Sequence, residues 1–145
     1  MTCEQVMTRA PKCCVPSDSA SRVAKLMKIE DVGGVPVCGS RDSHRLVGFV
    51  TDRDLAIQVV AEERDPAITR IQDIMTREPV TCRAGEDLDS ALRRMEATQI
   101  RRIPVVNDHG ELVGIIALAD IATRGRDAQK TAEVVREISK PAARL

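Results

Sequence analysis

The chain states nearly the same sequence twice. Val6-Met7-Thr8-Arg9-Ala10-Pro11 returns as Ile74-Met75-Thr76-Arg77-Glu78-Pro79, and the same spacing carries Cys14 to Cys82, Met27 to Met95, Pro36 to Pro104 and Val37 to Val105. After a turn that is longer in the first copy, Leu46-Val47-Gly48 realigns with Leu112-Val113-Gly114, and Asp54 with Asp120. Solenoids generally need three or more stacked repeats. Two copies of this length imply two halves packed about a pseudo-two-fold axis, with related clefts between them.

Each copy reads strand, helix, strand, turn, strand, helix, which predicts an α/β (α+β) fold. In the first copy residues 12–15 form a short strand, and Pro16-Ser17-Asp18 starts a helix with Ser17 or Asp18 as N-cap. The helix runs to about Glu30, with Val23, Ala24 and Met27 on its buried face, matched by Ala91, Leu92 and Met95. Val35-Pro36-Val37-Cys38 and Ile103-Pro104-Val105-Val106 are β-rich runs with proline near the start, where a missing ladder donor does least harm. Turn compositions follow, then apolar strands at 46–50 and 112–117, then second helices at 52–62 and 119–124. The organisation predicted is a first repeat over 1–62, a polar linker over 63–72, a second repeat over 73–124, and a C-terminal amphipathic helix and tail over 125–145. In that tail Ala132, Val135 and Ile138 keep helical spacing before Pro141 stops it.

Composition excludes several functions. At 145 residues the chain suits one compact fold, in which roughly 70% of the unfolded surface can be buried. Its 22 basic and 22 acidic residues cancel, so no global field recruits nucleic acid or an anionic membrane. Phe49 is the only aromatic residue, which leaves no platforms for stacking bases. No apolar run approaches the ~18 residues of a membrane span, and Met1-Thr2-Cys3-Glu4-Gln5 lacks a basic region leading into an apolar core. A cytoplasmic location is expected. Cys3, Cys13, Cys14, Cys38 and Cys82 show no C-x-x-C pair and no alternation with His44 or His109, so they read as reduced, buried thiols and not as a metal site. The adjacent Cys13-Cys14 leaves a redox or soft-metal switch as the other reading. No nucleophile, base and acid share a recognisable motif, so an enzyme is not expected.

Gly48-Phe49-Val50-Thr51-Asp52-Arg53-Asp54 puts Thr51 where a strand becomes a helix and Asp54 three residues on. One reading is a capping box, in which hydroxyl and carboxylate satisfy each other's backbone amides. The other uses the same geometry for a ligand, with phosphate at the helix amides beside Thr51 and Asp54 accepting from ribose hydroxyls. Arg101-Arg102 reads either as a solvated pair at a strand start or as the cation opposite that phosphate.

Two copies of Met-Thr-x-x-Pro, helix, hydrophobic-Pro-Val and Gly-h-h-T-x-x-D resemble a tandem cystathionine β-synthase (CBS) domain pair, or Bateman module, of the small stand-alone bacterial type. The resemblance covers roughly residues 4–124. It implies two β-α-β-β-α repeats packed through their sheets, and clefts that in many members bind AMP, ADP, ATP, S-adenosylmethionine or NAD-type molecules, with no cofactor required. Carried onto this chain, it sets Thr51 and Asp54 opposite Pro79, Val80, Ile100, Arg101 and Arg102, with Val80 and Ile100 clamping adenine. The reciprocal cleft would join Asp120 to Val32, Gly33 and Gly34, with Ala117 where the threonine should be; it would take a less anionic ligand or stay empty. The implied function is non-enzymatic: a regulatory homodimer that senses an adenosine-type ligand and signals to a protein partner, unaided by nucleic acid or membrane. A structural or stress-associated interaction protein with unused clefts is the alternative.

Overall fold

The computed structural model describes residues 1–124 and Arg136. The expected C-terminal helix lies, apart from that one residue, outside the described part. The order of elements is α1 (Cys3–Val6), β1 (Thr8–Arg9), α2 (Ala20–Glu30), β2 (Gly34–Ser40), β3 (Ser43–Thr51), α3 (Asp52–Leu55), β4 (Thr76–Arg77), β5 (Cys82–Arg83), α4 (Leu88–Thr98), β6 (Arg102–Val106), β7 (Leu112–Ala117) and α5 (Leu118–Arg124). A π-helical turn, Ala56–Val60, continues α3, and a 3-10 turn, Ile71–Asp73, precedes β4. This is the mixed α/β pattern expected of each repeat.

The chain folds into two compact units that do not divide where the sequence repeats. Of the described residues, one comprises 1–10, 80–108 and 113–124, the second-repeat unit; the other comprises 11–79 and 109–112, the first-repeat unit. In the second-repeat unit the sheet order is β1-β7-β6-β5. There β5 pairs parallel with β6, Cys82 opposite Val105, while β1 pairs antiparallel with β7, Thr8 opposite Ile115. In the first-repeat unit the order is β2-β3-β4, with Gly34 opposite Thr51 and Phe49 opposite Thr76. Cys14 adds a parallel bridge to Val37, standing in for the short strand expected at 12–15. Each Met-Thr-Arg segment therefore joins the sheet of the other repeat.

Helix starts and cores follow from local chemistry. The N-cap of α2 is Ser19, one residue beyond the expected candidates, and its hydroxyl accepts from Arg22 N–H at 3.1 Å. Asp18 is used differently: its Oδ2 accepts from Val15 N–H at 3.0 Å, and Arg41 pairs with it. The buried face of α2 is Ala20, Val23 and Met27, whereas Ala24 is exposed; α4 buries Leu88, Ala91, Leu92 and Met95. These faces cover Val35, Val37 and Val50 in one unit and Ile103, Val105 and Ile116 in the other. Residues 63–72 differ from a detached linker. Thr69 and Ile71 are buried, and their backbones accept from Ala20 and donate to Asp18, both at 2.9 Å.

Candidate functional site

The end of β3 becomes the start of α3 because Thr51 is extended (φ −114°, ψ 164°) while the residues after it are helical. Asp54 N–H donates to Thr51 Oγ1 at 3.1 Å, and Thr51 N–H donates to Asp54 Oδ2 at 2.8 Å. The capping box is thus complete. It does not exhaust either side chain: the Thr51 hydroxyl accepts here and keeps its own proton to donate, and a carboxylate can accept several hydrogen bonds. Both residues are half-buried.

The second repeat builds the same corner with fewer groups. Asp120 Oδ2 accepts from Ala117 N–H at 3.2 Å, and no hydroxyl answers it because Ala117 has none. In each unit the next amide is taken by a backbone carbonyl from the segment before hydrophobic-Pro-Val. Asp52 N–H donates to the Gly33 carbonyl at 2.9 Å, and Leu118 N–H to the Arg101 carbonyl at 3.0 Å. Hence Gly33 lies at the Thr51 corner and Arg101 at the Asp120 corner, neighbours within one repeat that the sequence reading set in separate clefts.

Among the other expected site residues, Arg101 is exposed and Arg102 half-buried as the first residue of β6. Val80 and Ile100 are partly buried against the core of the second-repeat unit. Pro79 follows Glu78, whose φ of 48° matches the 47° of Ala10 before Pro11. Val32 is exposed, Gly33 half-buried and Gly34 buried at the start of β2. Sequence reasoning passed over Arg94. Arg94 donates to the Thr81 carbonyl at 2.6 Å and to Glu86 Oε1 at 2.5 Å. With Cys82, Arg83 and Asp108 they line an open depression of about 680 Å³. Burial would raise the Glu86 carboxyl, but hydrogen bonds from Arg94 and from Arg83 N–H outweigh it and hold the group below its ordinary value. Among the described residues no cluster of three or more histidine, cysteine or acidic side chains is disposed to hold a metal ion. No described helix is long and apolar enough to cross a membrane.

A duplicated β-α-β-β-α repeat, with an acidic helix corner in each copy, is the architecture of a CBS pair. The CBS domain family model matches residues 3–60 and 71–127, and the chain belongs to that family. Hypoxic response protein 1 of Mycobacterium tuberculosis is 32% identical over 142 residues, 98% of this chain and 96% of that protein. A crystal structure of Hypoxic Response Protein I, described with two coordinated zinc ions, superposes with a TM-score of 0.77 at 31% identity over 86% of this chain and 98% of that one. CBSX2 in complex with AMP gives 0.70 at 27% identity, covering 93% and 98% of the two chains. A CBS domain pair in complex with 5′-methylthioadenosine and S-adenosyl-L-methionine gives 0.76 at 25% identity, covering 85% and 94%.

Proposed function

We propose that this chain is a non-enzymatic regulatory module that binds an adenosine-containing ligand, such as AMP, ATP or S-adenosylmethionine, at its acidic helix corners. The observation that carries the reading is the Thr51–Asp54 corner in a chain whose solved relatives hold AMP or S-adenosylmethionine. Asp54 would accept from ribose hydroxyls, the Thr51 hydroxyl and the first α3 amides would meet phosphate, and Val80 with Ile100 and Pro79 would flank adenine. Arg101 or Arg102 would neutralise the phosphate. Occupancy would act on a protein partner by population shift, which requires unequal affinity for two packings of a homodimer.

The bond from Leu118 N–H to the Arg101 carbonyl favours a second assignment of the arginine, to a ligand at the Asp120 corner. Calorimetry with AMP, ATP and adenosine separates these readings. Asp54→Ala should abolish binding at the first corner while lowering stability by about 1 kcal/mol, the worth of a lost cap. Unchanged affinity would return Thr51 and Asp54 to capping alone. Combining Arg101→Ala and Arg102→Ala should weaken ATP more than adenosine, and wild-type ATP affinity should fall with salt. If the phosphate-dependent loss persists in an Asp54→Ala background and vanishes with Asp120→Ala, the arginines serve the second corner. A thermal melt showing no shift with AMP, ATP, S-adenosylmethionine or NADH at saturating concentration would favour the interaction-protein alternative with unused clefts.

A further inference from the structure

Five cysteines are free in this structure, and four are buried. Cys3 and Cys82 are drawn together from near the starts of the two repeats into one core. Cys3 N–H donates to the Glu86 carbonyl and Glu4 N–H to the Ala84 carbonyl, both at 2.9 Å, and Leu88 N–H donates to the Met1 carbonyl at 2.8 Å. These bonds lay α1 along the loop that leaves β5, and the Cys82 S–H is hydrogen-bonded to the Cys3 sulfur. We propose that Cys3 and Cys82 form an oxidisable pair whose disulfide, made by a peroxide, clips the N-terminal segment to the second-repeat unit.

The chemistry divides between the two sulfurs. The hydrogen bond from Cys82, aided by the Arg94 charge, lowers the Cys3 thiol below its ordinary value, against burial and the Glu86 charge. The same bond, with burial, pushes Cys82 up. Cys3 is then the nucleophile and Cys82 the resolving thiol. Cys3 sulfur attacks hydrogen peroxide; the O–O bond breaks, leaving a sulfenic acid and one water. Cys82 sulfur next attacks Cys3 sulfur, the S–O bond breaks, and the departing hydroxide takes the Cys82 proton as a second water. Two thiols and one peroxide give one disulfide and two waters. Cys38 is likewise hydrogen-bonded to Cys13, but burial first and that bond second push it up to about 12, as burial does Cys14, so neither matches the lowered Cys3.

Access is available at the same place. Cys82 borders the open depression walled by Arg94, Glu86 and Thr81. Helix α1 has only four residues, short enough for local opening to expose Cys3. The disulfide would fix the segment that also supplies β1 to the sheet and Met7 to the core.

The test uses the whole chain, treated with one equivalent of hydrogen peroxide, alkylated and digested with trypsin without reductant. Cys3 falls in peptide 1–9, Cys82 in 78–83, Cys13 and Cys14 in 13–22, and Cys38 in 29–41. The expected product is peptide 1–9 joined to 78–83, lost on treatment with dithiothreitol. Cys82→Ser, which keeps a hydroxyl donor beside Cys3 but cannot resolve it, should leave Cys3 as a sulfenic acid trapped by dimedone. Alkylated Cys3 and Cys82 after oxidation, or Cys3 joined instead to 13–22 or 29–41, would overturn the proposal, and the wild-type digest decides this even if the variant fails to fold.

Discussion

At Gly48 a β-carbon would stand 2.6 Å from Met75 Sδ and 3.0 Å from the Thr76 carbonyl, and at Gly114 it would meet Met7 and, at 3.0 Å, the Thr8 carbonyl. A methionine can turn aside, but the carbonyl belongs to a strand already paired at that register. The glycine in each Gly-h-h-T/A-x-x-D run is therefore required by the strand lying over it. Gly114→Ala should lower stability by about 1–3 kcal/mol, the usual cost of overpacking, in denaturant titration. Gly85→Ala, with nothing within 4 Å of the added carbon, is the control and should change little. Sequence displayed both partners of each contact, since Gly48 with Gly114 and Met7 with Met75 were visible repeats. It could not show that they touch across copies, because a two-residue strand has no hydrophobic period to say which sheet it joins.

Longer elements were more legible. Eleven-residue helices α2 and α4 carry enough apolar spacing to declare a buried face, so their existence and most of that face were readable. Segment 63–72 was not, because its role rests on backbone bonds and on Ile71 alone among polar neighbours. The loops before the two helices also share a device that sequence did not reveal. Asp18 accepts from Val15 N–H, and Glu86 Oε2 accepts from Arg83 N–H at 3.1 Å, each carboxylate closing the turn three residues back. Glu86 also pairs with Arg94, whose guanidinium is held more firmly protonated by that bond. Its carboxyl is lowered in the folded chain, so its contribution is complete above the ordinary value near 4.5 and is lost as pH falls through the lowered one. Glu86→Gln should therefore flatten the acid limb of the stability profile below about pH 4.5 and cost about 1 kcal/mol at neutral pH. An unchanged acid limb would assign the pH dependence to other carboxylates.

At the scale of the molecule the two repeats share a plan but differ in surface and in site. Ile29, Val32, Ile57, Val60 and Ile68 are all exposed, and all belong to the first-repeat unit. Exposed apolar side chains of this kind would be covered in a closed two-fold dimer. Light scattering at tens of micromolar should give a dimer that Ile57→Asp with Val60→Asp converts to monomer, whereas a wild-type monomer would remove this route of signalling. The sites differ by two side chains. Thr51 offers a hydroxyl at one corner, Ala117 none at the other, and Gly33 stands where the second corner has Arg101. Bare helix amides still attract an anion, the strongest reason to expect equal filling. They are common to both corners, however, so they cannot separate the sites, and the difference falls to the hydroxyl and the cation. A hydroxyl donor to a charged oxygen is worth about 1.5–3 kcal/mol, roughly a tenfold or greater preference. With Arg101 or Arg102 serving the Asp54 corner, as in the first assignment proposed above, hydroxyl and cation act together, and a phosphorylated ligand should fill that corner first, at one AMP per chain over the first tenfold of concentration. Ala117→Thr should then raise affinity at the Asp120 corner and bring the two sites together. Titration of the wild type to two equivalent AMP molecules per chain would refute the inequality, and a first site that survives Asp54→Ala but not Asp120→Ala would reverse it in favour of Arg101.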